Sequence, residues 1–269
     1  MAIELSTIAA GTGGFVVNGE TAPDKSGWSV AAAGDINGDG LADLLVGAPS
    51  AAVGFGRTYV VYGRTGGTVA LTDIAGVSGG FVAGGTMPTD TAGNSVSGIG
   101  DVNGDGFDDF LVGAPHNALA GPNAGRAFVV FGGSGLGNVD LADVAAGSGG
   151  FAIDAPAAAS YVGWSVSGTG DVNGDGIADL IVSAWNESAS GRTYSGRSYV
   201  VFGKGGTAAV ELTAVAGGTG GFVINGAGAC HYSGRSVSGA GDVNGGRPTP
   251  SPAGEPRPLK FPAGRPLTP

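Results

Sequence analysis

Asp35-Ile36-Asn37-Gly38-Asp39-Gly40-Leu41-Ala42-Asp43 occurs three times in the chain. Its other copies are Asp101-Val-Asn103-Gly-Asp105-Gly-Phe107-Asp-Asp109 and Asp171-Val-Asn173-Gly-Asp175-Gly-Ile177-Ala-Asp179. Oxygen-bearing side chains hold positions 1, 3, 5 and 9. Calcium is a hard cation that takes six to eight oxygen ligands, and alternate residues of a short loop can wrap it. The glycine at position 6 permits a sharp turn that aims the carbonyl of position 7 (Leu41, Phe107 or Ile177) at the ion, and position 9 closes the shell. Magnesium suits such a loop less, because it holds its water and demands a strict octahedron. An EF-hand begins the same way but needs Glu at position 12 and flanking helices. Position 12 here is Val46, Val112 or Val182, between glycine-rich and β-branched flanks. The expectation is about three calcium ions, each clipping a β-hairpin. A plain Asn-Gly hairpin turn without metal does not explain three copies that keep all four oxygen positions.

Working outward, the loops belong to a longer repeat. Gly-Gly-Phe ends at Phe15, Phe81, Phe151 and Phe222, and Asp-x-Asn-Gly begins at Asp35, Asp101, Asp171 and Asp242; both landmarks advance by 66, 70 and 71 residues. Tyr59-Val-Val-Tyr-Gly63 returns as Phe128-Val-Val-Phe-Gly132 and Tyr199-Val-Val-Phe-Gly203. Gly47-Ala48-Pro49 returns as Gly113-Ala114-Pro115 and degrades to Ser183-Ala184-Trp185. Each unit reads as four strands: Trp28–Ala33, the acidic loop, Leu44–Val46, Arg57–Tyr62, and Gly80–Val82 after a connection through Gly66, Gly67 and Thr68–Thr72. A period near seventy, built from sequential antiparallel strands, fits propeller blades better than the shorter repeats of a solenoid. The fold class is all-β, an incomplete propeller of four-stranded blades. Units lie near 28–88, 94–156 and 163–226, with a partial one at 235–246, inside a domain spanning 1–246. A leading strand four lies near Gly13–Gly19 and an orphan strand near Arg235–Ala240. Three blades leave open edges, which invite an open arc, a ring completed by a partner, or self-association.

Composition limits the function classes. Glycine supplies 57 of 269 residues and hydrophobic residues 42%, which suits many tight turns around a real core. No sustained i, i+3, i+4, i+7 pattern predicts more than a little helix. The net charge of −10 argues against nucleic acid, and ten of the 22 acids sit at the recurring acidic motif. The single Cys230 excludes an intrachain disulfide. No run reaches transmembrane length, and the opening residues lack a signal-peptide pattern. Residues 247–269 are Pro- and Arg-rich and read as a disordered tail, of the kind a truncation or frameshift produces. The fourth acidic loop stops at Asp242-Val-Asn244-Gly-Gly246 without positions 5 and 9.

The aromatic–glycine landmark, the Asp-x-Asn-Gly-Asp-Gly-x-x-Asp loop and Gly-Ala-Pro together resemble the FG-GAP repeats of integrin α subunits, over about residues 11–245. Related repeats occur in secreted bacterial proteins and in the non-catalytic part of glycosylphosphatidylinositol-specific phospholipase D. The resemblance implies a propeller with calcium loops on its lower face between strands one and two. It also implies a ligand face opposite, formed by the 2–3 and 4–1 connections. On this chain those are 49–56, 115–125 and 185–196, with 21–26, 87–92 and 156–161. An extracellular or cell-surface location follows from the same resemblance.

The remaining chemistry-bearing residues point away from catalysis. His116 reads as a surface loop residue. Cys230 and His231 are neighbours that point opposite ways in extended chain, so no nucleophile pair forms. Zinc lacks a recognised ligand spacing. Phe15, Phe81, Phe151 and Phe222 keep the repeat period and read as blade packing, as do Trp28 and Trp164. Asp108, at position 8 of its loop, reads as a solvated acid. Trp185, which replaces the proline of Gly-Ala-Pro, is the candidate ligand-contacting aromatic. Asn186-Glu-Ser188 is an N-glycosylation pattern. The expected function is a non-enzymatic calcium-binding module for extracellular protein binding or cell adhesion, with calcium structural. The alternatives are the accessory propeller of a secreted phospholipase-like hydrolase and a sugar-binding propeller. The partner is a protein or glycan on the upper-face loops.

Overall fold

The computed structural model describes residues 5–64 and 66–241. The fourth acidic loop, with Asp242 and Asn244, and the 247–269 tail lie outside the described residues. After a short leading strand β1 (Val16–Asn18), the first blade comprises β2 (Ser29–Gly34), β3 (Asp43–Ala48), β4 (Arg57–Val61) and, beyond a short strand β5 (Thr68–Ala70), β6 (Gly80–Gly84). The second comprises β7 (Ser95–Gly100), β8 (Asp109–Ala114), β9 (Arg126–Val130) and, beyond β10 (Val139–Asp140), β11 (Gly150–Asp154). The third comprises β12 (Val166–Gly170), β13 (Asp179–Ala184), β14 (Arg197–Val201) and, beyond β15 (Val210–Glu211), β16 (Gly221–Asn225). Within each blade the four long strands pair antiparallel in sequence order. This is an incomplete β-propeller. Among the described residues no helix is long and apolar enough to cross a membrane.

The structure adds two features to these four-stranded blades. First, short strands extend two of the sheets and cover β1. β5, β10 and β15, in the connection between strands three and four, each reach back to pair in parallel with strand four of the preceding unit: β5 with β1, β10 with β6, β15 with β11. Second, that connection also contains a helical turn in every unit, at Leu71–Ala75, Leu141–Ala145 and Leu212–Ala216. Two side chains three residues apart are buried in each turn: Leu71 and Ile74, Leu141 and Val144, Leu212 and Val215. Five residues are too few to display a helical period in sequence and too few to stand alone, so packing holds them.

Strand two is buried on both faces, as the short apolar runs require; β8 and β13 are buried along their whole length. The core is layered between blades. Phe81 and Ala83 of β6 pack with Phe110, Val112, Phe128, Val130, Leu141 and Val144 of the second unit. Phe151 and Ile153 of β11 meet the corresponding residues of the third. The strand ones are joined by hydroxyls: Ser29 Oγ accepts from Val96 N at 3.0 Å, and Ser95 Oγ from Val166 N at 3.1 Å. The orphan segment near 235–240 is not a strand, yet Val237 N donates to Ser165 Oγ at 3.0 Å and Gly239 N to Ser167 Oγ at 3.1 Å, extending the series. Trp28 breaks the packing expectation. It is 60% exposed, with Lys25 Nζ 5.4 Å from its ring centroid, because it precedes β2 rather than lying within it.

Candidate functional site

Each acidic loop begins after a register shift near the end of strand one, between Ala32 and Gly34, Gly98 and Gly100, or Gly168 and Gly170. A bulge there re-aims the chain. The glycine at position 6 adopts φ of 85°, 93° and 90° at Gly40, Gly106 and Gly176, the left-handed region where other residues are strained. Position 1 organises the turn. Asp35 Oδ1 accepts from Gly38 N at 2.8 Å and Asp39 N at 3.0 Å, and its Oδ2 from Gly40 N at 2.8 Å. Asp101 and Asp171 make the same three bonds to their own loops. Position 3 accepts from position 5: Asp39 N to Asn37 Oδ1 at 2.9 Å, Asp105 N to Asn103 Oδ1 and Asp175 N to Asn173 Oδ1 at 2.8 Å. Position 5 accepts from position 7: Leu41 N to Asp39 Oδ1, Phe107 N to Asp105 Oδ1, Ile177 N to Asp175 Oδ1.

Position 9 has a second task that the sequence did not reveal. Asp43 is buried; its Oδ2 accepts from Ile36 N at 2.9 Å and its Oδ1 from Gly63 N at 2.8 Å. Asp109 bonds Val102 N and Gly132 N, and Asp179 bonds Val172 N and Gly203 N. Those glycines close the aromatic–glycine landmark at the end of strand three, and they must be glycine. A Cβ on Gly132 would lie 2.3 Å from Asp108 O, and one on Gly203 would lie 2.2 Å from Ala178 O. The landmark and the loop are therefore one lock, with the carboxylate tying the turn to the far strand. Burial pushes all three position-9 carboxyls up, Asp109 to about 7, while the backbone donors partly counter it.

Asp108 is corrected as well. It is half-buried and accepts from Asp35 N, in the neighbouring loop, at 2.8 Å, while Asp108 N donates back to Asp35 O at 3.2 Å. The position 8 acid thus links two acidic loops.

The donor set fits calcium in kind. Three carboxylates, an amide oxygen and a main-chain carbonyl are all hard oxygens. Among the described residues no three acidic, His or Cys side chains already converge as a metal cluster, because the carboxylates are turned onto amides. A carboxylate has about four acceptor positions, so these bonds leave capacity on every one. The residues that would hold an ion are Asp35, Asn37, Asp39, Leu41 and Asp43; Asp101, Asn103, Asp105, Phe107 and Asp109; and Asp171, Asn173, Asp175, Ile177 and Asp179.

The connections at the other end of the strands are joined by parallel bridges, Gly56 to Ala92, Gly125 to Val162 and Gly196 to Ser233. Trp185 sits there among aromatics that sequence reasoning did not assemble. Its ring centroid lies 5.3 Å from Tyr161, 5.5 Å from Trp164 and 5.6 Å from Tyr232. The Arg235 guanidinium stands 5.2 Å from the Trp185 ring and 5.5 Å from that of Trp164, a cation–π geometry. Trp185 Nε1 is buried without a hydrogen-bond partner. Tyr194 stacks on Tyr232 at 6.1 Å, and both are exposed. Trp164 belongs to this patch rather than to the blade core. His116 is also corrected: it is half-buried, bonds Thr91 Oγ1 through Nδ1 at 2.9 Å and lies edge-on to Tyr161, and burial lowers its pKa. The signal for this patch was present, since each residue falls on or beside a 2–3 or 4–1 connection. Cys230 and His231 are exposed and stand outside it.

Strand three opens on an arginine in every unit, and each finds a carboxylate. Arg57 pairs with Glu20 at 2.6 Å, Arg197 with Glu187 at 2.7 Å, and Arg126 with Asp154. Tyr59 OH donates to Glu20 and Tyr199 OH to Glu187. The Tyr59 bond leads in holding Glu20 below the usual carboxylate range, while burial pushes Tyr59 up to about 12.

The FG-GAP repeat family matches residues 26–61, 92–130 and 162–201, each interval running from strand one through the acidic loop to strand three. The chain belongs to this family. The FG-GAP intervals stop short of strand four, which the sequence reading placed, and of the parallel reach-back strand, which only the structure shows. Similar curated proteins include integrin alpha-PS2 of Drosophila melanogaster, 31% identical over 180 residues, or 64% of this chain and 12% of that protein. Integrin alpha-7 of Mus musculus is 34% identical over 179 residues, 65% of this chain and 13% of its own length. Phosphatidylinositol-glycan-specific phospholipase D of Bos taurus is 30% identical over 187 residues, 65% and 21%. The chain thus spans about an eighth of the first relatives and a fifth of the last.

Proposed function

We propose that this chain is a non-enzymatic, calcium-binding FG-GAP module that works outside the cell, and that its ions are structural. They would hold the turns between strands one and two, while the opposite loops meet a protein partner in an adhesion-type contact. The observation that carries the reading is the threefold recurrence of one all-oxygen loop, locked each time to the same glycine of strand three. An ion there would neutralise three crowded carboxylates and brace strands one, two and three together. The integrin similarity supports the adhesion reading. The phospholipase similarity supports the second reading, an accessory module beside a catalytic domain. The Trp185 patch favours a third, sugar binding, because flat aromatic faces with a nearby donor suit a pyranose ring.

Calcium titration followed by calorimetry tests the first claim. About three sites per chain are expected, falling to about two in Asp105→Ala. Absence of binding at millimolar calcium overturns it. Glycan-array binding that vanishes in Trp185→Ala would move the conclusion to the sugar reading.

A further inference from the structure

Among the described residues, every strand four but one is covered twice. Its outer edge receives a short parallel strand from the next unit, and its apolar face receives that unit's helical turn and strands two and three. β6 and β11 are served in this way by β10 and β15. β1, a strand four standing alone, is served by β5 in the same register, with Val17 opposite Val69 and Asn18 opposite Ala70. The corresponding pairs are Ala83 with Val139 and Ile153 with Val210. β16 is the exception: among the described residues it has β14 on one side and no strand on the other. The lack of cover shows in its side chains. Ala83 and Ile153 are fully buried, whereas Ile224, at the same repeat position, is 48% exposed.

The sequence indicates what fits the open edge. Gly13-Gly14-Phe15-Val16-Val17-Asn18-Gly19 and Gly220-Gly221-Phe222-Val223-Ile224-Asn225-Gly226 differ at one residue, Val17 against Ile224. The first segment is the one that β5 already holds, with Phe15 and Val17 packed against the first blade beside Val69, Leu71 and Ile74. A surface that accepts the first segment accepts the second, since Val and Ile differ by one methylene. We propose that β16 docks onto the first blade of a second copy of this chain, pairing in parallel with its β5. Ile224 then lies opposite Val69 of the second copy and Asn225 opposite Ala70. The second copy's β1 must leave that slot, and a ladder of three residues is easily displaced. The contact is head-to-tail, so it leaves a free β16 at one end and repeats. This is strand addition at a sheet edge, with the partner set by the repeat itself.

Sedimentation velocity of the full chain in calcium, from about 1 to 100 μM, tests it. Wild type is expected to show mass rising with concentration. Ile224→Asp, which puts a charge in the docking face, stays monomeric. Val17→Asp, which expels β1 and frees the slot, associates at least about tenfold more tightly. Oxidation of a Val69→Cys, Ile224→Cys pair in a Cys230→Ser background gives disulfide-linked dimers and higher ladders. A control pairing Val53→Cys with Ile224→Cys, which uses a fully exposed loop residue, does not. Wild type that remains monomeric at 100 μM overturns the proposal. So does association that Ile224→Asp leaves unchanged, or cross-linking no greater than in the control.

Discussion

Replacing Gly113 by alanine tests how closely the blades must approach. Gly113 lies in β8 without a positive φ, so alanine is acceptable there to the backbone. The added Cβ would nevertheless lie 2.0 Å from Gly163 O and 2.9 Å from Gly163 C, in the connection that enters the third blade. Both contacts are backbone, so no side chain can swing aside and the two blades must separate. Overpacking costs about 1–3 kcal/mol, and a rigid contact this short belongs at the upper end, about 3 kcal/mol. A stiffer unfolded chain returns about 0.5 kcal/mol. The net loss of about 2.5 kcal/mol corresponds to a drop of about 5–10 °C for a chain of this size. Thermal melting by circular dichroism reads it. Gly84→Ala is the control, because Gly84 has no positive φ and nothing within 4 Å of its Cβ position; it should melt within about 2 °C of wild type. A Gly113→Ala melt inside that same window would refute the reasoning. The chain contains its own comparison, for Gly47 faces Gly93 O at 2.1 Å in the same way, while the third unit has Ser183 at this position.

Calcium should raise the melting temperature: with dissociation constants of ~10–100 μM, 1 mM calcium adds about 1.4–2.7 kcal/mol per site, and a melt unmoved by calcium contradicts the structural role. Asp108→Ala removes the acceptor for Asp35 N and should cost about 1–2 kcal/mol, whereas exposed Asp73→Ala should stay within about 0.5 kcal/mol; equal melts for the two would sever the proposed link between loops. Glu187→Ala leaves the mostly buried Arg197 without its carboxylate, with only Asn225 Oδ1 and the Tyr199 hydroxyl to bond, and should cost about 3 kcal/mol by urea unfolding; a loss under about 1 kcal/mol speaks against the triad. Asp109 is raised to about 7, so the fold favours its protonated form. That contribution is complete below the unfolded carboxyl value near 4 and is lost as pH rises through about 7. The calcium-free chain should therefore melt lower at pH 8 than at pH 5, and a profile rising with pH over that range contradicts it.

Much of the architecture was legible because two independent periods coincide. The Gly-Gly-Phe and Asp-x-Asn-Gly landmarks mark strand four and the hairpin loop, and the Val-Val runs mark strand three. What stayed hidden is non-local or too short. The reach-back strands are two or three residues long and pair across roughly fifty to sixty residues of chain, so no alternation betrays them. The helical turns occupy a single turn. Asp108 looked solvated because its partner, Asp35 N, lies on another blade. Trp28 and Trp164 share a repeat position but not an environment: the 2–3 connection that reaches Trp164 carries Trp185, whereas Trp28 has only Lys25 stacked on it. The repeated oxygen set of the loops could be read from the sequence, but the lock between position 9 and the glycine after strand three needed coordinates.

The reach-back strands also decide how the molecule would come apart under load. A unit pulled away from its neighbour must give up the strand it lends to the unit before it, so force is shared across adjacent units. The last blade lends β15 but borrows nothing among the described residues. In a stretched chain it should be the first to yield, with unravelling then travelling back toward the amino terminus.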